Sequence, residues 1–115
     1  NQNIYYFKQY NQLRSLIKNK KTIFSFDGYY SKLVDIIDDK IYFIANTKYG
    51  SSLYCYNNGS LFRLSVADNI IDAKIISSQK AIVQTVDENG YSVSKIELQP
   101  THISYIPYMP IPLTK

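Results

Sequence analysis

The chain has 115 residues, 45% hydrophobic and 19% charged, which predicts one globular domain rather than a disordered segment. A single cysteine, Cys55, excludes an internal disulfide and a zinc site built on several cysteines. The net charge is +4, and no apolar stretch of 18 residues occurs, so no transmembrane segment is predicted. The chain starts at Asn1 without Met, which predicts a processed product or a fragment of a longer protein.

Residue usage favours strands over helices. The chain contains 12 Tyr and 5 Phe, and Tyr, Ile, Val and Thr fit the pleated, half-buried surface of a sheet. The helix formers Ala, Leu and Glu are scarce. Lysine supplies most of the positive charge, whereas arginine is the usual reader of phosphates and base edges, so we predict no nucleic-acid partner.

Turn signals divide the chain into short strands, which indicates an antiparallel meander. In chain order, the predicted strands are residues 4–10, 13–17, 23–26, 31–37, 41–47, 52–56, 61–65, 70–76, 81–87, 91–98 and 102–106. Asn58-Gly59, between two of them, is a strong hairpin signal. A short helix over residues 11–21 is the alternative there, because Leu13, Leu16 and Ile17 have helical spacing.

An internal repeat of about 40 residues organises the sequence. DKIYFIANTKYG, ending at Gly50, aligns without gaps with QKAIVQTVDENG, ending at Gly90. A second similarity relates residues 3–16 to residues 52–65. The predicted divisions are the outer half of a preceding unit plus a connection (1–26), two units (27–66 and 67–106) and a proline-rich tail (107–115).

The unit over residues 38–65 contains a turn with an apolar strand (DDKIYFIANT), a glycine loop (KYGSS), a Tyr strand (LYCY), a second glycine turn (NNGS) and a Leu-containing end (LFRLS). In this order it resembles the blades of the TolB and WD-repeat-like propeller superfamily. The resemblance implies an all-β fold of antiparallel four-stranded meanders, about two and a half blades, in a periplasmic or extracytoplasmic protein. Propellers close with about 4 to 8 blades, so the ring would need other copies or further segments. A β-sandwich is the alternative fold.

No constellation of residues predicts catalysis, a cofactor or a metal. The only histidine, His102, lies next to the proline-rich tail and outside any catalytic motif. Asp35, Asp38 and Asp39 lack the alternating spacing of a calcium loop and are interpreted as turn formers. We therefore expect a non-catalytic protein-binding or scaffolding module. The alternatives are an accessory propeller of a hydrolase whose catalytic domain lies outside this chain, and a small surface or adhesion β-domain.

The propeller resemblance also implies where a partner binds. In a blade, the loop that enters the innermost strand lies on the same face as the loop that joins the second and third strands. Tyrosine suits such a surface because its ring adds contact area and its hydroxyl adds a hydrogen bond. The predicted partner-binding residues are Tyr29, Tyr30, Lys48, Tyr49 and Tyr91. The expected partner is another protein, or other copies or segments of the same propeller.

Overall fold

The computed structural model describes residues 2–28, 30–47, 50–65 and 69–106. In these ranges every regular element is a β-strand, and the strands form three antiparallel sheets, which confirms the all-β prediction. The helix considered for residues 11–21 is wrong, because residues 13–18 form a strand and the residues on either side of it form turns. The described ranges contain no helix of the length and apolarity that a bilayer crossing requires.

The first sheet is a meander of three strands with one covered face. It contains β1 (Tyr5–Tyr10), β2 (Leu13–Lys18) and β3 (Lys21–Asp27), in that spatial order. Side chains alternate between the two faces along β1, and Phe7 on the covered face lies opposite the buried Leu16. The prediction of a hairpin followed by a short third strand is confirmed.

The middle sheet has five strands and is covered on both faces. Its spatial order is β11, β7, β6, β5, β4. The strands are β4 (Ser31–Ile37), β5 (Lys40–Thr47), β6 (Gly50–Asn57), β7 (Ser60–Arg63) and β11 (Thr101–Ile103). Residues 41–45 and 52–55 are buried without interruption, as expected for central strands that pack against a layer on each side.

The third sheet has three strands and, like the first, one covered face. It contains β8 (Ile70–Ile75), β9 (Lys80–Asp87) and β10 (Gly90–Glu97), in the spatial order β10, β9, β8. Ala81 and Val83 on β9 are buried, whereas residues 91–95 on β10 are exposed. β10 is therefore the least covered of the three strands.

Two hydrophobic clusters lie on opposite faces of the middle sheet, because successive side chains of β5 point in opposite directions. Phe43 belongs to a cluster shared with Leu16 and Phe26 of the first sheet. Its neighbour Ile44 belongs to a cluster shared with Ile70 and Val83 of the third sheet. The layers therefore follow the order first, middle, third.

Several hairpins close through left-handed turn residues. Asp38 and Asp39 have φ of 51° and 66°, and Asn58 and Gly59 have φ of 53° and 89°. Two successive positive φ values are typical of the type I′ turn, whose twist matches that of paired strands. The aspartates at 38 and 39 thus form the turn predicted for them.

The hairpins that contain Gly50 and Gly90 have the same strand register. β5 and β6 pair from Ile41↔Tyr56 to Thr47↔Gly50, and β9 and β10 pair from Ala81↔Ile96 to Asp87↔Gly90. Both glycines have positive φ, 105° and 114°. The two hairpins belong to separate sheets, so they are not joined edge to edge.

The last strand departs from its expected position. A strand over residues 102–106 was predicted in the unit that contains β8 to β10, but β11 covers Thr101–Ile103 and pairs with β7 of the middle sheet. The chain leaves the third sheet at Leu98, and the Gln99 N–H donates to the Leu64 carbonyl at 2.9 Å. Pro100 follows and has no N–H to continue the β9–β10 ladder.

Candidate partner-binding surface

The described residues beside the predicted loops show which strand ends lie together in the middle and third sheets. In the middle sheet, the N–H of Asn46, near the end of β5, donates to the carbonyl of Tyr30, which precedes β4, at 3.4 Å. In the third sheet, the Val86 N–H donates to the Asn69 carbonyl at 3.2 Å. In each sheet, therefore, the entry to the first strand lies beside the hairpin that joins the second and third strands.

Arg14 of the first sheet holds the entry to β4. Its guanidinium donates to the Ser31 carbonyl at 3.3 Å, to the Ser31 hydroxyl, and to Gln9 Oε1 at 3.1 Å. The same group lies 5.4 Å from the centre of the Phe7 ring, within range of a cation–π interaction. Burial lowers the pKa of Arg14, and the nearby Tyr30 acts in the opposite direction.

The loop before β4 is also tied to the first hairpin. The Gly28 N–H donates to the Gln12 carbonyl at 2.9 Å, and Gln9 Nε2 donates to the Gly28 carbonyl at 2.7 Å. The contacts of Gln9, Arg14 and Ser31 were not predicted from the sequence. Their hydrogen-bond partners are about 5 to 19 positions away and come close only when the sheets pack together. The one available signal was an arginine in a strand of a lysine-rich chain.

Of the five predicted partner-binding residues, the structure describes two. Tyr30 is 39% exposed and precedes Ser31, the residue that Arg14 holds. Tyr91 is 72% exposed and lies at the start of β10. Tyr29, Lys48 and Tyr49 lie outside the described residues. Tyr30 thus lies in the loop before β4, beside the first sheet, whereas Tyr91 lies on the far side of the third sheet.

Tyr91 belongs to a row of exposed side chains on the third sheet. Ser94 and Ile96 pair with Val83 and Ala81, which face the middle sheet, so the alternate residues of β10 point outward. We call these alternate residues the outward row of the third sheet: Tyr91, Val93, Lys95 and Glu97. Val93 is 70% exposed, although a valine in a strand usually covers a core.

The first sheet carries a corresponding outward row. Tyr6, Lys8 and Tyr10 alternate with the inward Tyr5 and Phe7, and Tyr10 is 73% exposed. Opposite this row, Leu13 is exposed and Ile17 is buried. Each flanking sheet therefore presents aromatic and aliphatic side chains on the face that points away from the middle sheet.

The single cysteine and the single histidine of the chain are placed for packing. Cys55 is buried between the middle and third sheets, and burial raises the pKa of its thiol to about 11, against the weaker opposing effect of Lys40. A protonated, buried thiol is a poor nucleophile at neutral pH. The His102 ring packs edge-on against Phe62 with 5.7 Å between centroids.

Three aspartates in the described ranges accept hydrogen bonds from nearby backbone N–H groups. Asp35 and Asp72 each accept a hydrogen bond from the following N–H, at 2.8 and 2.9 Å, and Asp87 accepts one from the Asn89 N–H at 2.8 Å. Within those ranges, no group of three or more His, Cys, Asp or Glu side chains is placed to hold a metal ion. These contacts are typical of Asx turns and hairpin loops.

Comparison with known proteins assigns no relative. No family model, no curated protein and no solved structure matches the chain. The resemblance to TolB and WD-repeat-like blades stays a prediction, and the function has to be inferred from the geometry of the surfaces above.

Proposed function

We propose that this chain is a non-catalytic scaffolding module, an arc of a larger β-propeller, that binds protein through the surfaces its flanking sheets leave open. One observation carries the proposal. The middle sheet is covered on both faces, whereas the first and third sheets each keep an outward row with side chains as exposed as Tyr10 and Tyr91. Exposed apolar patches of this kind mark interaction sites in soluble proteins.

The layer order supports a propeller arc over a two-sheet sandwich. In a sandwich of two sheets, each sheet keeps one solvated face, whereas here the middle sheet has none. The two hairpins ending at Gly50 and Gly90 share one register and lie in successive layers, as repeated blades would. A stack of this kind has open ends on which further sheets can pack.

The chemistry of the described side chains supports a binding role. Cys55 is buried with a raised pKa, and His102 packs on Phe62 instead of pairing with a nucleophile. By contrast, the exposed end near Tyr30 is held by the hydrogen bonds of Arg14 and Gln9. A surface whose supporting backbone is fixed in this way binds a partner at a lower entropic cost.

The open faces can be tested with the neutral apolar dye Nile red. The folded chain is expected to bind the dye, and replacing Tyr10 and Leu13 together by Gln is expected to reduce the fluorescence. Ile76→Gln is the matched control, because Ile76 is an exposed aliphatic residue beyond the end of β8 and outside both outward rows. A folded chain that does not bind Nile red, or whose binding is unchanged by the paired substitution, contradicts the proposal.

A further inference from the structure

The third sheet ends in an edge strand whose backbone groups point outward. β10 has eight residues and, among the residues that the structure describes, pairs only with β9. The Leu98 N–H donates to the Gln79 carbonyl at 2.8 Å, which continues the β9–β10 register by one pair. Because hydrogen-bonded and non-bonded pairs alternate in an antiparallel ladder, the even-numbered residues of β10 bond to β9. The N–H and carbonyl groups of Tyr91, Val93 and Lys95 therefore point away from the sheet.

The corresponding strand of the middle sheet has no such edge. β6 occupies the same place in its hairpin as β10, and β6 bonds to β5 on one side and β7 on the other. In the third sheet the equivalent of β7 is missing from the described ranges, because the chain crosses at Gln99 to join the middle sheet as β11. Within the described residues, this edge of β10 therefore stays open to a strand from another chain.

The remaining tail of this chain is unsuited to that place. It contains Pro107, Pro110 and Pro112, and proline lacks the N–H that a ladder needs. The tail also follows Ile106, which is buried in the cluster between the first and middle sheets. That cluster lies on the opposite face of the middle sheet from β10.

We propose that the edge of β10 pairs with β10 of a second copy of this chain, antiparallel and around a two-fold axis at Val93. The inference goes beyond the proposed function, because the backbone edge of β10 is distinct from the outward rows. The paired strands would join the two third sheets into one continuous sheet of six strands. Strand addition at an exposed edge is a common mode of protein recognition, in which the main chain supplies affinity.

The side chains of β10 are self-complementary in this register. With Val93 opposite its own copy, the Tyr91 ring lies opposite the Lys95 ammonium, and Ser92 lies opposite Ser94. Aromatic–cation, aliphatic and hydroxyl pairs are each favourable across strands, and no like charges are directly opposite. In this register the hydrogen-bonded pairs are Tyr91 with Lys95 of the second copy, Val93 with Val93, and Lys95 with Tyr91. These are the residues whose backbone groups point away from β9, and the three pairs form about six new hydrogen bonds.

The test compares the solution mass of the chain with that of Val93→Pro, by size exclusion with light scattering. Val93→Pro removes an N–H that points away from β9, so the β9–β10 hairpin keeps its bonds while the new pairing is blocked. Val93→Thr is the matched control, because it keeps the N–H and a β-branched side chain. The unsubstituted chain and Val93→Thr are expected to have a mass near twice 13.3 kDa, and Val93→Pro a mass near 13.3 kDa. The dissociation constant of the dimer is expected to be at least about 100-fold larger for Val93→Pro than for the unsubstituted chain.

Amide hydrogen exchange tests the same pairing without any substitution. The amides of Tyr91, Val93 and Lys95 are expected to become protected as the protein concentration rises, while those of Ser92 and Ser94 are protected throughout. An unsubstituted chain that stays at 13.3 kDa up to about 1 mM overturns the inference, as does a folded Val93→Pro that still dimerises. The paired substitution of the Nile red test lies at Tyr10 and Leu13 of the first sheet, away from β10, so the two proposals fail separately.

Discussion

The middle sheet packs against the first sheet through one face and against the third sheet through the other, and the side chains at these two interfaces are of different kinds. Adjacent residues of β5 contribute to the two interfaces. Against the first sheet, Phe43 lies among rings, with centroids 5.6 Å from Phe7, 6.0 Å from Phe26 and 5.7 Å from Tyr54. Against the third sheet, Ile44 belongs to a cluster whose β9 members are the small residues Ala81 and Val83. Alternation along β5 thus builds two cores of unlike packing.

The space between the sheets is filled differently at the two interfaces. Aromatic rings fill the gap between the first and middle sheets from both sides, in stacked and tilted pairs that add to the burial of area. Between the middle and third sheets, large side chains such as Tyr42 and Leu53 come from one side and Ala81 from the other. The two interfaces therefore differ in the kind of side chain that fills them, rings in one and mostly aliphatic side chains in the other.

The largest expected effect is that of Phe43→Ala. Phe43 is fully buried, and its removal would leave a cavity lined by the rings of Phe7, Phe24, Phe26 and Tyr54. The free energy of unfolding is expected to fall by about 3–5 kcal/mol in urea denaturation. Phe43→Leu, which keeps most of the volume, should lose less than half of that. A loss below about 1 kcal/mol for Phe43→Ala would mean that the aromatic interface is not formed.

Ile44→Ala tests the other interface with a somewhat smaller effect. Ile44 is fully buried, but its cluster includes several aliphatic neighbours that can adjust around a cavity. We expect a loss of about 2–4 kcal/mol by the same measurement, and about 1 kcal/mol for Ile44→Val. If Ile44→Ala destabilises the chain more than Phe43→Ala, the aromatic interface is not the more sensitive of the two to the loss of one side chain.

The aliphatic interface should also weaken at alkaline pH through Cys55. Burial raises the pKa of its thiol from 9.0 to about 11, so between these values the unfolded chain loses the proton before the folded chain does. Stability from this group is present in full below pH 9 and is lost as the pH rises towards 11, by about 2 kcal/mol. Urea denaturation in reductant at pH 8 and pH 11 measures the loss.

Cys55→Val provides the reference for that experiment, because it keeps an apolar side chain of similar size without a titrating group. Burial also raises the pKa of Tyr42, so both proteins should weaken at alkaline pH. The unsubstituted chain should weaken more. An equal loss in the two proteins would show that the thiol is not buried at this interface.

The smallest expected effect belongs to the ion pair that joins the middle and third sheets at their edges. Lys32 Nζ lies 3.3 Å from Asp72 Oδ1, and the two side chains are 44% and 54% exposed. Exposed pairs contribute about 0.2–1 kcal/mol and are screened by salt. A double-mutant cycle with Lys32→Met and Asp72→Asn should give a coupling energy in that range, and a value above about 2 kcal/mol would mean that the edge is buried.

Much of the local structure could be predicted from the sequence. The strand predicted at residues 31–37 has those bounds, and the Asn58-Gly59 turn closes a hairpin as expected. The reason is that turn residues and alternation act over a few positions, so they can be read without knowing the rest of the chain.

Long-range features could not be predicted in this way. The departure of β11 to the middle sheet depends on the exposed edge of β7, and the contacts of Arg14 depend on how the first sheet packs. Tyr30 and Tyr91 are exposed, and their role in partner binding stays a prediction. The exposure of Val93 was missed because valine in a strand predicts a core position.

The order of the layers is tested most directly by nuclear Overhauser effects from Phe43 and Ile44, which are neighbours in the sequence. Phe43 ring protons are expected to give effects to Phe7 and Phe24 of the first sheet, and Ile44 methyls to side chains of the third sheet. That result would place one layer on each face of β5. Effects from both residues to the same sheet, or an Ile44 in contact only with solvent, would contradict it.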